Sequence, residues 1–290
     1  MEQLSATERR IASLKELLTV VAAIRSLAAL RVQEGRKALE GVHQYVATVD
    51  RALAAAVALL PATNEPSPPA QEPTAVIVLG SEHGFVGALN DQLLEAALRH
   101  TGGHRNSRLL MVGSRSAGVA LGAGASIAWT QAMATRASGV VEVARRAADE
   151  VHRSIGSGEF ERVMLVYASG QIGGRWTVQS TRLLPFDPAP YRLGDGAATA
   201  PLHYLPPERL IDKLVEELLF AELMRAAVES FASEHAARLA TMESAHHAIE
   251  EKLQLLTRDA HIQRQEKITM ELLDVVAGAE AVGDDVEASL

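Results

Sequence analysis

The chain has 290 residues, 48% hydrophobic and 22% charged, the composition of a folded globular protein rather than a disordered one. A formal net charge of -8 argues against nucleic acid as a main partner, and the absence of cysteine removes disulfides, thiolate nucleophiles, iron–sulfur clusters and Cys-type zinc sites. The longest apolar run, residues 52–60, falls well short of the roughly 18–20 residues needed to span a bilayer, so any membrane role is expected to be peripheral.

All eleven prolines fall in two windows, residues 61–73 and 185–207, and these seams divide the chain into three segments. They are an N-terminal helical arm over 1–62, a central α/β domain over 74–206 and a C-terminal helical arm over 207–282. The N-terminal arm keeps a seven-residue frame throughout. Its first seam set is Leu4, Ile11, Leu18, Arg25, Val32, Leu39, Val46, Leu53 and Leu60; its second is Thr7, Leu14, Val21, Ala28, Gly35, Val42, Val49 and Ala56. Apolar residues fill most of both sets over more than four heptads, which predicts a coiled coil. Arg25 and Gly35 mark places where the seam loosens or the partner helix crowds close.

In the central segment Ala75–Leu79 reads as a buried strand and Asp91–Arg99 as a helix. Arg108–Val112 is a second strand, Val140–Ile155 a helix, Arg162–Tyr167 a third strand and Trp176–Leu184 a fourth. Alternating strands and helices predict a small Rossmann-like α/β domain with a largely parallel sheet. The C-terminal arm opens at Pro206-Pro207 and keeps a 3–4 spacing from Leu214 through His235, Met242, His246 and Leu253 to Ala260. Beyond it the frame meets Gln263 and Lys267, while apolar residues move to Ile268, Leu272, Val275 and Val276. The last turns are therefore expected to face something other than the N-terminal arm. At 1.5 Å per residue the arms would reach about 90 and about 105 Å, too long to fold flat on a body of this size, so they are expected to pair.

Candidate chemistry is sparse. Gly84 and Gly87 follow a strand and precede a helix, where a phosphate-binding turn would lie, but their spacing fits neither nucleotide-binding fingerprint. The stretch Ser114–Gly124 is glycine-rich and equally short of a motif. The ten histidines form no H-E-x-x-H; His235 and His246 fall on the seam, and the adjacent His246 and His247 are not expected to share one helical side. Carboxylates in the arms read as a solvated face. No catalytic, cofactor or metal site is expected.

Ala232-Ser233-Glu234-His235-Ala236-Ala237-Arg238-Leu239, then Arg264-Gln265-Glu266-Lys267-Ile268-Thr269-Met270-Glu271-Leu272, then Val276-Ala277-Gly278-Ala279 resemble the C-terminal helix of the gamma subunit of F-type ATP synthases. Similar to the same family are Arg9-Arg10-Ile11-Ala12-Ser13-Leu14-Lys15, Ala28-Ala29-Leu30-Arg31 and Ser81-Glu82-His83-Gly84-Phe85-Val86-Gly87-Ala88-Leu89-Asn90. Glu16–Val21 replaces the family's N-T-Q-K-I-T, and Val86 stands where many members carry Cys. These departures mark a divergent bacterial member, or one of an alternative ATPase class.

The resemblance implies a long antiparallel coiled coil beside a central α/β domain. It also implies a non-catalytic central-stalk rotor that couples an ion-driven membrane c-ring to ATP synthesis or hydrolysis in a catalytic alpha/beta ring. The epsilon subunit would be a further partner, and the location would be peripheral, on the cytoplasmic face of the bacterial inner membrane. Ring contacts map onto Arg264, Gln265, Thr269 and Glu271. The rival reading is a nucleotide-binding α/β protein whose arms only dimerise.

Overall fold

A computed structural model describes residues 2–60, 74–101, 107–170, 176–192 and 203–287. The proline window at 61–73 and Pro201 lie outside them. In chain order the elements are α1 (Glu2–Val57), β1 (Thr74–Leu79), α2 (Leu89–Thr101), β2 (Arg108–Val112), α3 (Ser114–Gly122), β3 (Ile127–Gln131), α4 (Val140–Gly156), β4 (Arg162–Gly170), β5 (Trp176–Leu184), the single turn α5 (Ala189–Arg192) and α6 (Pro207–Glu287). The chain resolves into two compact units, Leu27–Thr241, and Met1–Ser26 with Met242–Leu290.

The unit Leu27–Thr241 is built on a five-stranded sheet of order β3-β2-β1-β4-β5, parallel except for β5, which runs antiparallel to β4 along one edge. β1 is buried along its whole length, which is why its sequence is a continuous apolar run rather than an alternation. Its pleat divides it: Ala75, Ile77 and Leu79 point into a core shared with α1, α4 and α6, while Val76 and Val78 meet α2 and α3. Helix α4 supplies Val140, Val143, Ala144, Ala147, Ala148 and Val151 to the first core, the 3–4 spacing of an amphipathic helix.

Two elements depart from the sequence expectation. The glycine-rich stretch Ser114–Gly124, to which no element was assigned, contains the helix α3, and the strand that follows it, β3, was not anticipated. Gly113 starts α3 with φ 109°, and a Cβ there would lie 2.6 Å from the Ser81 carbonyl oxygen, so both the conformation and the close approach require glycine.

The heptad frame of α1 matches its buried face. In this unit Ala28, Val32, Gly35, Val42, Val46, Val49, Leu53 and Ala56 are all buried. At Gly35 the two helices approach closely: a Cβ there would sit 2.9 Å from Ala232 Cβ. Between Ala221 and Arg238 α6 is buried on nearly every side, because α1 covers one face and the sheet another. Small residues at Ala226, Ala227 and Ala237 make that double contact sterically feasible.

In the other unit α1 and α6 pack antiparallel around Val21, Met242 and Ile249, flanked by Leu14, Leu18, Ile24 and Leu253. Pairing runs in opposite directions along the two helices. Arg25 meets Glu243 at 3.9 Å, Thr7 meets Gln263 at 3.4 Å, and Arg264 meets Glu8 at 2.6 Å.

Candidate functional site

In open parallel sheets ligands bind outside the carboxyl ends of the strands, where the strand order reverses. Here that place is the crevice between β1 and β4, and α6 lies across it. Ser230 Oγ donates to the Leu79 carbonyl at 3.0 Å, and Ser233 Oγ donates to the Ala168 carbonyl at 3.0 Å. One helical face thus closes the ends of both central strands.

The backbone amides that would cradle a phosphate are already taken. Glu234, 2% exposed, accepts the N–H of Glu82 at 3.1 Å and of His83 at 3.3 Å. Its carboxylate also accepts from Arg238 Nη2 at 2.6 Å, and Arg238 Nε donates to the Gly84 carbonyl at 3.1 Å. Glu82 in turn accepts the N–H of Ser114 at 3.0 Å and of Met133 at 2.7 Å, and the Ser114 hydroxyl at 2.7 Å. Burial pushes the Glu82 pKa up, but these donors from Ser114 and Met133 outweigh it and hold the carboxyl below its ordinary range. The glycine turn is therefore a structural corner filled by the protein's own anions. Gly87 supplies positive φ for the turn and faces open space.

His235 sits in the same cluster. Burial first, then the charges of Arg238, Arg31 and His83, push its pKa down to about 3. Its Nδ1 lies 2.9 Å from Arg238 Nη1, and its ring meets Phe231 edge-on at 4.6 Å. Its position on the seam, read from the sequence, agrees with this placement.

The reading of arm carboxylates as a solvated face fails at Glu234 and at Glu229, which is 6% exposed and accepts from Arg225 Nη1 at 3.0 Å. The available signal was an acid and a base four residues apart, Glu234 and Arg238, within a stretch rich in alanine and serine.

The predicted contact strip lies near the far end of α6. Arg264 is committed to Glu8 at 2.6 Å, with both side chains about half exposed. Thr269 Oγ1 donates to the Gln265 carbonyl at 2.9 Å, and Lys267 Nζ lies 3.5 Å from Glu271 Oε1. Gln263 and Lys267 keep the half-buried seam positions, while Ile268, Met270, Leu272, Leu273, Val275 and Val276 are all at least 50% exposed. The frame shift read from the sequence is therefore a switch from a covered to an uncovered apolar face.

Basic residues also line a cavity of about 430 Å³ where α1 and α6 pair, formed by Arg9, Arg10, Ser13, Leu14, Lys252 and Leu256. The adjacent histidines face different sides of α6, His246 half-buried and His247 exposed, yet both reach one carboxylate. His246 Nδ1 and His247 Nδ1 lie 3.3 and 3.7 Å from the same Glu250 oxygen, so the pair shares a neighbour one turn on.

A Rossmann-like α/β body whose ligand crevice is closed by side chains of one of its own long helices is the class of fold that the chain defines. The sequence matches the family model described as ATP synthase over residues 3–282. The chain belongs to this ATP synthase family, and the curated relatives it matches along nearly its whole length are ATP synthase gamma chains.

It is 27% identical to the ATP synthase gamma chain of Thermobifida fusca over 97% of this chain and 96% of that one. It is 38% identical to the gamma chain of Chlorobaculum tepidum over 142 residues, 48% of this chain and 47% of that one. Among solved structures, the rotor of the Euglena gracilis mitochondrial ATP synthase superposes with a TM-score of 0.66 at 15% identity, over 92% of this chain and 99% of that one. The central stalk and c-ring structure of the Tetrahymena thermophila mitochondrial enzyme gives 0.56 at 20% identity, over 78% and 99%.

Proposed function

We propose that the chain is the rotor of an F-type ATP synthase, turning inside a catalytic alpha/beta ring, with its α/β body held by the membrane c-ring and an epsilon subunit. An asymmetric helix pair presents a different face to each surrounding subunit. Turning it shifts each catalytic site in sequence between conformations, a population shift driven mechanically. The reading extends to a location on the cytoplasmic face of the bacterial inner membrane. No described helix is long and apolar enough to cross a membrane, in keeping with attachment through partners.

The observation that carries this reading is the uncovered apolar face from Ile268 to Val276, directly after a seam that covers its apolar residues. Large apolar side chains in such a run call for a partner surface. The polar residues beside them, Arg264, Gln265, Thr269 and Glu271, are the proposed contacts to the catalytic ring, with Arg264 able to grip a carboxylate or carbonyl group through several donors.

Replacing Arg264 and Gln265 together by Ala tests the assignment. The Arg264–Glu8 pair is exposed and contributes at most about 1 kcal/mol, so the chain is expected to fold and assemble normally. ATP turnover in the assembled complex is expected to fall. Full assembly with turnover equal to the unmodified complex would refute the contact assignment.

A further inference from the structure

We propose that His246, His247 and Glu250 form a binding site for a divalent transition cation of the Zn²⁺ type on α6. Residue 250 lies one turn beyond both histidines, at i+4 from His246 and i+3 from His247, so a single carboxylate is the shared neighbour of two consecutive side chains. One ligand atom from each of the three residues falls within 4.8 Å of the others. The two rings stand nearly perpendicular, at 83°, so their nitrogens approach the carboxylate from different directions.

His246 Nδ1 supplies a second observation. It is buried and makes no hydrogen bond, although it lies 3.3 Å from Glu250 Oε2. A bare lone pair facing a carboxylate oxygen at that distance is unfavourable; a proton on Nδ1 relieves it, and so does a cation bound by both atoms, which is the state proposed here. His247 and Glu250 are open to solvent, with side chains 67% and 47% exposed, which gives an ion an entry path and leaves room for water ligands.

The donor set selects the ion. Two imidazoles and one carboxylate suit Zn²⁺, Ni²⁺ or Cu²⁺, whereas Mg²⁺ prefers oxygen ligands and retains its waters. Binding ties together one turn of α6 and stabilises the folded chain by mass action. The site uses none of the residues assigned to ring contact, so it stands or falls separately from the rotor reading.

The test is calorimetric titration of the full-length chain, stripped with chelator, with ZnCl₂ alone and separately with MgCl₂ alone. One Zn²⁺ per chain is expected, with no matching Mg²⁺ isotherm. In both His247→Ala and Glu250→Gln that isotherm is expected to weaken by about tenfold or more. Circular dichroism should show unchanged helix content, since both side chains are largely outside the core. A Zn²⁺ isotherm that is absent, or that is the same in the wild type and in both variants, would overturn the assignment by placing any binding on the other histidines.

Discussion

Replacing Glu234 by Ala removes the carboxylate that joins α6 to the β1 end of the sheet. Three donors lose their acceptor: Arg238 Nη2 at 2.6 Å and the amides of Glu82 and His83 at 3.1 and 3.3 Å. The Arg238 side chain is only 8% exposed, so its charge is left buried without its counter-ion. Breaking such a pair from one side, with the orphaned amides included, costs about 3–5 kcal/mol.

For a chain of this size each kcal/mol lowers the melting temperature by roughly 2 °C, so a fall of about 6–10 °C is expected. Both tryptophans, Trp129 and Trp176, lie on the sheet, so fluorescence reports this unit alone. Adding Arg238→Met removes the stranded charge as well, and the double variant is expected to recover about half of the loss. A Glu234→Ala melting point within about 1 °C of wild type would refute the latch, because no buried, triply bonded carboxylate can be that inexpensive to delete.

Gly35→Ala gains about 1 kcal/mol of helix propensity but sets a methyl group 2.9 Å from Ala232 Cβ, an overpacking of about 1–3 kcal/mol, so a net loss is expected in thermal melts. Adding Ala232→Gly clears that contact and should restore stability; a Gly35→Ala variant more stable than wild type would contradict the close approach. A pH effect follows from His235. Its folded pKa of about 3 lies below the ordinary histidine value of about 6.5, so the unfolded chain binds more protons between them. Its contribution is complete above that ordinary value and is lost as pH falls toward 3, at up to about 1.4 kcal/mol per pH unit. His235→Gln should flatten this slope in denaturant titrations at stepped pH. The lowered pKa of Glu82 acts in the same direction once pH falls below its ordinary value, and it is retained in the variant.

The paired helices were legible because a seven-residue period repeated over many turns leaves one consistent reading, and the burial of Val32, Val46 and Leu53 follows it. Strands buried on both faces were legible as unbroken apolar runs. Helix α3 was not, since Gly118 and Gly122 lower its propensity and packing of Ala117 and Ala120 against α2 and β2 overrides them. Edge strand β3 is short and only half buried, with no continuous apolar run. The latch was hidden for a different reason. The i, i+4 spacing of Glu234 and Arg238 announces an ion pair, but only the sheet lying over them makes the pair buried.

Rotation of the assembled complex tests the central claim most directly. The chain has no native cysteine, so a single one placed at Leu121, 62% exposed on α3, can carry a probe while the catalytic ring is held to a surface. During ATP hydrolysis the probe is expected to turn continuously in one direction. Hydrolysis that proceeds at its normal rate with the probe stationary would contradict the rotor account.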